Sequence, residues 1–117
     1  MKVIKIDSAN KTITNIELGK GSKPIYEAIG NECNCFACPV ELDNGDVLYT
    51  DDEGLFHPFE GGVRMPDWNY PIVGNILIIG TTENGESTDA KTTIEEITPL
   101  IKWVSKAECE VWASQFR

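Results

Sequence analysis

Apolar and polar residues alternate from the first residues of the chain. Over residues 2–7, Lys2, Ile4 and Ile6 fall on one side of an extended backbone and Val3, Lys5 and Asp7 on the other, the two-residue period of a strand with one apolar face. Ser8-Ala9-Asn10-Lys11 supplies a turn, and Ile13, Ile16 and Leu18 continue as a second strand until Gly19 and Gly21 break it, so a β-hairpin opens the fold. The period then changes. Ile25, Ala28 and Ile29 sit three and four apart, Ser22 stands where an N-cap belongs, Pro24 suits the first helical turn and Gly30 suits the position past the end. This predicts a two-turn helix, which needs docking on a sheet to persist.

Residues 32–42 read as a strand that ends at Asp43-Asn44-Gly45-Asp46, where Asn-Gly marks a two-residue hairpin loop. Val47 to Thr50 return, a second turn falls at Asp51-Asp52-Glu53-Gly54, and Pro39 confines the outgoing strand to an edge or a bulge. Residues 57–71 contain His57, Pro58, Gly61, Gly62, Arg64, Pro66, Trp68, Tyr70 and Pro71, a composition that predicts a long irregular loop. A loop of that length in a compact domain is a candidate for function. The segment from Ile72 to Ile79 is the most hydrophobic and is apolar at Ile76-Leu77-Ile78-Ile79, which predicts a central strand covered on both faces. Gly80 to Ala90 is polar, with a turn at Asn84-Gly85. Pro99 disfavours a continuous helix from Thr93 to Val104, so Ile94 and Ile97 are assigned to a helical turn and Leu100 to Val104 to a short strand. Ser105 and Glu108 have capping-box spacing at the start of a last helix to Phe116, whose Val111, Trp112 and Phe116 would dock on the sheet. Together these elements predict a single α+β domain. Its mostly antiparallel sheet has about five to seven strands, with a short N-terminal helix and a C-terminal helix packed on it.

Length and composition agree with one domain: 117 residues leave no room for a second core, and 41% apolar with 25% charged residues is an ordinary globular balance. Lys5 and Asp7 break the start of the chain before a signal peptide could form, and the longest apolar run is too short to span a bilayer. These features predict a cytoplasmic protein. The four cysteines, Cys33, Cys35, Cys38 and Cys109, then read as reduced thiols. The formal charge of −9 is unevenly placed. No Lys or Arg occurs from Pro24 to Val63, a stretch holding nine acids, whereas the rest of the chain has ten acids and ten bases. Such a field argues against nucleic acid and anionic membrane as partners and for a cationic surface.

The opening Val3-Ile4-Lys5-Ile6-Asp7, the helix end at Ile29-Gly30, and two longer runs carry a family resemblance. The runs are Asp46-Val47-Leu48-Tyr49-Thr50-Asp51-Asp52-Glu53-Gly54-Leu55 and Pro71-Ile72-Val73-Gly74-Asn75-Ile76-Leu77-Ile78-Ile79-Gly80. Over about residues 1–90 the chain resembles a family of short, functionally uncharacterised proteins of bacteriophages and other mobile elements. The resemblance implies such an origin and leaves the activity open. Members often carry an asparagine-arginine-arginine run before the central strand; here Gly62-Val63-Arg64-Met65 stands in its place.

Four sets of residues are candidates for chemistry. Cys33-x-Cys35-x-x-Cys38 has metal-like spacing, with Cys109 or His57 as a fourth ligand for zinc, but on a regular strand Cys38 faces away from the other two. Small buried hydrophobes are the simpler reading. His57, the only histidine, would have to serve any imidazole acid–base scheme, yet no nucleophile-elbow pattern accompanies it. Arg64 with Trp68 and Tyr70, and with His57 nearby, could clamp a ring or an anion; the plainer alternative pairs Arg64 with Asp67 or Glu60. Glu41, Asp43, Asp46, Asp51, Asp52 and Glu53 lack the spacing of a calcium loop and would instead form one acidic face, although several are turn residues. No phosphate loop and no cofactor motif is present. The pattern favours a non-catalytic binding module of phage or mobile-element origin. It would act through the acidic hairpin and the 57–71 loop on a host protein with a basic surface, a defence component being one such target. A nucleotide- or small-molecule-sequestering homodimer using the same loop is the alternative, a zinc module the third reading and an enzyme the last.

Overall fold

The computed structural model describes residues 1–30, 33, 36–66 and 68–115 of the chain. The opening hairpin is β1 (Lys2–Asp7) and β2 (Thr12–Glu17), followed by α1 (Ser22–Ile29), then β3 (Phe36–Glu41) and β4 (Val47–Asp51). After a single 3-10 turn at Gly54–Phe56 come β5 (Gly61–Arg64), β6 (Ile72–Val73), β7 (Asn75–Thr81) and β8 (Ser87–Thr88). The chain closes with α2 (Ile94–Ile97), β9 (Lys102–Ser105) and α3 (Lys106–Ser114). The fold is α+β and mostly antiparallel, as the pattern predicts.

The main sheet runs β2-β1-β7-β4-β3, with β8 also on β7. Strand β7 is its centre because its side chains are apolar in both directions. Ile76 and Ile78 join Ile4, Ile6 and Leu48 in one core, while Leu77 and Ile79 join Val3, Ile25 and Ile29 in another. All four are fully buried, and each contributes roughly 1.5–3 kcal/mol of burial. Helix α1 covers the second core through Ile25 and Ile29 and stops at Gly30, whose φ of +65° suits glycine. Gly21 is its N-cap, and Ser22 lies inside the first turn with no capping bond from its side chain.

The opposite face is covered by a second sheet, β6-β5-β9, which the sequence pattern does not reveal. Four of the residues assigned above to an irregular 57–71 loop therefore form a strand. The glycines that suggest a loop are what the packing requires: a Cβ on Gly62 would stand 2.7 Å from the Ile72 carbonyl oxygen and 3.1 Å from Cys109 Sγ. Beyond this sheet lies α3, packed through Cys109 and Ala113 against Phe59, Val73 and Val104. Val111 was expected on that inner face but is 61% exposed, because the packed stripe runs through residues 109 and 113, one turn apart. Phe116, the other expected anchor, lies outside the described residues.

The segment joining β8 to α2 is tied down from several directions. Lys91 N–H, Thr92 N–H and the Thr92 hydroxyl all donate to Asp46 Oδ2 at 2.7–2.8 Å, and Asn44 Nδ2 donates to Thr92 Oγ1 at 2.9 Å. Lys2 N–H donates to Asp89 Oδ1, and Ala90 N–H to Lys2 O. A reciprocal capping box between Thr93 and Glu96 then starts α2. At α3 only half of the expected box is seen, with Ser105 Oγ accepting from Glu108 N–H.

Candidate functional site

The hairpin β3–β4 leaves the main sheet with an edge that is not regular. The register shifts between Ala37 and Val40, around Pro39, as an edge proline requires. On the side of Ala37 and Pro39 the chain forms a cleft of about 260 Å³. It is lined by Ile72 and Val73 of β6, by Trp68 and Tyr70, by Thr50, Asp51 and Asp52, and by Leu55 and Phe56 of the 3-10 turn. Tertiary structure thus gathers parts of three chain regions that are separate in sequence.

The aromatic wall is a tilted pair with ring centroids 5.4 Å apart. Trp68 also packs against the main core, and its indole Nε1–H is buried with no acceptor among the described residues. Leaving such a donor unmatched costs about 1–3 kcal/mol, which the packing of the ring against the core must offset. Phe56 lies at the rim and is 56% exposed.

The acidic wall is organised by Asp51, whose side chain is only 7% exposed. Its Oδ1 accepts the Glu53 N–H at 3.0 Å, and its Oδ2 lies 2.5 Å from His57 Nδ1. An ionised carboxylate can only accept, so His57 carries the proton on Nδ1. The histidine is thereby committed to shaping the turn behind the cleft. Asp52 and Glu53, next along the chain, are exposed.

Of the predicted site residues, Trp68 and Tyr70 line the cleft and His57 braces its wall through Asp51. Arg64 is not with them. It extends from β5 to place its guanidinium 5.7 Å from the centroid of the Trp112 ring on α3. Glu60, proposed as its plain partner, pairs instead with Lys106 at 3.5 Å, and Asp67 lies outside the described residues.

The single acidic face predicted from the charge map does not form. Asp46 is fully buried as the acceptor for residues 91 and 92, and Asp51 is engaged with His57. Glu27 is 3.9 Å from Lys23, and Lys106 neutralises Glu60. The exposed acids fall into two groups. Glu41 and Asp43 stand at the hairpin turn, whereas Asp52 and Glu53 stand at the far end of β4, roughly 15 Å away along an extended strand.

The cysteines are also dispersed. Cys33 packs beside α1, Cys38 is exposed on β3, Cys109 is buried under β5, and Cys35 lies outside the described residues. No group of three or more metal-ligating side chains occurs among the described residues. Burial pushes the Cys109 thiol up from 9.0 to about 11, with smaller contributions from Glu108 and Glu110. Since the folded state holds this proton more tightly than the unfolded chain, the associated stability is complete below pH 9 and is lost as the pH rises towards 11. Chemical denaturation across that window should show a steeper fall for the natural chain than for Cys109→Ala; equal slopes would contradict it.

Sequence reasoning missed Thr50, Leu55, Phe56, Ile72 and Val73 as cleft residues.

The fold is a small α+β domain, and the cleft is lined by apolar side chains together with Asp51 and Asp52. Residues 1–102 match the family described as Domain of unknown function (DUF3846), and the chain belongs to that family. No curated protein and no solved structure matches it. Among the described residues no helix is long and apolar enough to cross a membrane.

Proposed function

We propose that this chain is a non-catalytic interaction module that grips a protein partner through the Trp68–Tyr70 cleft. The observation that carries this reading is an apolar groove with an exposed aromatic residue, Phe56, at its rim. Interfaces concentrate their binding energy in such sites, where one large side chain enters a pocket walled by aromatics. The volume of about 260 Å³ is below the ~300–1,000 Å³ of small-molecule sites and is matched to one side chain. A nucleotide is less well served, because no Lys or Arg is among the described lining residues to meet its phosphates.

Capture from a bacterial lysate on three immobilised forms tests this. A protein retained by the natural chain and by Val111→Asp, a control on exposed α3 surface, should be reduced at least about tenfold on Phe56→Asp. Identical recovery on all three forms, with unchanged circular dichroism, would remove the cleft as the site.

A further inference from the structure

We infer that the occupant of the cleft is an arginine side chain presented by the partner. This deepens the reading above and rests on it.

Three features of the cleft converge on that residue. Charge comes first: Asp51 and Asp52 line one wall, and no Lys or Arg is among the described lining residues to balance them. Asp51 is already held by His57 and the Glu53 N–H, which leaves the exposed Asp52 as the carboxylate able to turn towards an incoming cation. The aromatic part of the lining is second. Trp68 and Tyr70 offer aromatic faces, on which a planar guanidinium stacks better than a hydrated ammonium. The chain already uses this contact elsewhere, where Arg64 lies over Trp112. The third is the apolar floor of Ile72 and Val73, which suits the methylene stem of a long side chain whose charged head stays at the rim. A carboxylate or phosphate in the same place would meet like charge, and a purely aliphatic group would leave Asp52 without a partner.

The test uses the full chain and three peptides: acetyl-Gly-Arg-Gly amide, its isosteric neutral citrulline counterpart and its glutamate counterpart. The readout is the indole N–H resonance of Trp68, assigned with Trp68→Phe. The arginine peptide should shift this signal and bind about tenfold more tightly than the citrulline peptide. Asp52→Asn should reduce that preference to near parity, chiefly through loss of affinity for the arginine peptide. Equal shifts from the arginine and citrulline peptides would overturn the inference and leave the cleft standing as a binding site. Preference for the glutamate peptide, or for adenosine monophosphate added as a fourth probe, would overturn it as well. Silence from every probe to millimolar concentration would overturn both the inference and the reading beneath it.

Discussion

Asp46→Ala should lower the unfolding free energy by about 3 kcal/mol, one of the two largest losses expected from a single substitution in this chain. The residue is 0% exposed, and its Oδ2 alone satisfies Lys91 N–H, Thr92 N–H and the Thr92 hydroxyl. Alanine removes the acceptor that two backbone donors use, at least one of them buried. Asp46→Asn keeps an oxygen that can reach the same donors but sets its NH2 group where Asp46 Oδ1 is buried with no partner among the described residues, so it should recover only part of the loss. Urea denaturation of the three proteins measures both values. An alanine variant within about 0.5 kcal/mol of the natural chain would show that the 91–92 segment is not held by this carboxylate.

Gly80→Ala should be comparably damaging, at about 3 kcal/mol, for a reason rooted in the same segment. A Cβ at position 80 would overlap the carbonyl oxygen of Asp89 and come within 2.9 Å of its carbonyl carbon. Backbone is the obstacle here, and it cannot rotate away as a side chain could. Relief would require residues 89–92 to move outward, against the bonds from Lys2 and to Asp46 that hold them. The two substitutions are therefore coupled. Once Asp46→Ala has released the segment, the added methyl costs less, and the double variant should be more stable than the sum of the single losses predicts, by about 1 kcal/mol in a double-mutant cycle. Strict additivity would contradict this account of either residue.

Much of the architecture could be read from local pattern. The opening alternation and the run Ile76-Leu77-Ile78-Ile79 each specify their own conformation within a few residues and are found as expected, whereas the two-residue loop expected at Asn44-Gly45 is a three-residue one, Asp43 to Gly45, closed by Leu42 N–H on Asp46 O and with a positive φ at Gly45 but not at Asn44. The second sheet escaped notice because its information is not local. Gly61 and Gly62 look like breakers until Ile72 and Cys109 come close, and β9, which pairs with β5, is some forty residues further on. The charge map failed for a similar reason. Counting acids says how many carboxylates a segment carries but not which will turn inward, and the burial of Asp46 depends on donors at residues 91 and 92. The candidate site was half legible. Trp68 and Tyr70 stood out as aromatics among turn residues, whereas Arg64 was drawn to the wrong place because a strand, not a loop, carries it towards Trp112.

The irregular β3 edge has one more consequence. Proline has no N–H to donate, so the outer flank of this hairpin offers a broken ladder to any extended chain that approaches it. At the other end of the same sheet, β2 shows solvent Thr12, Thr14, Asn15 and Glu17 in place of an apolar stripe. Neither margin is a good template for an added strand, so in the proposed binding mode a partner would be held by what enters the cleft and not by main-chain pairing along a sheet edge.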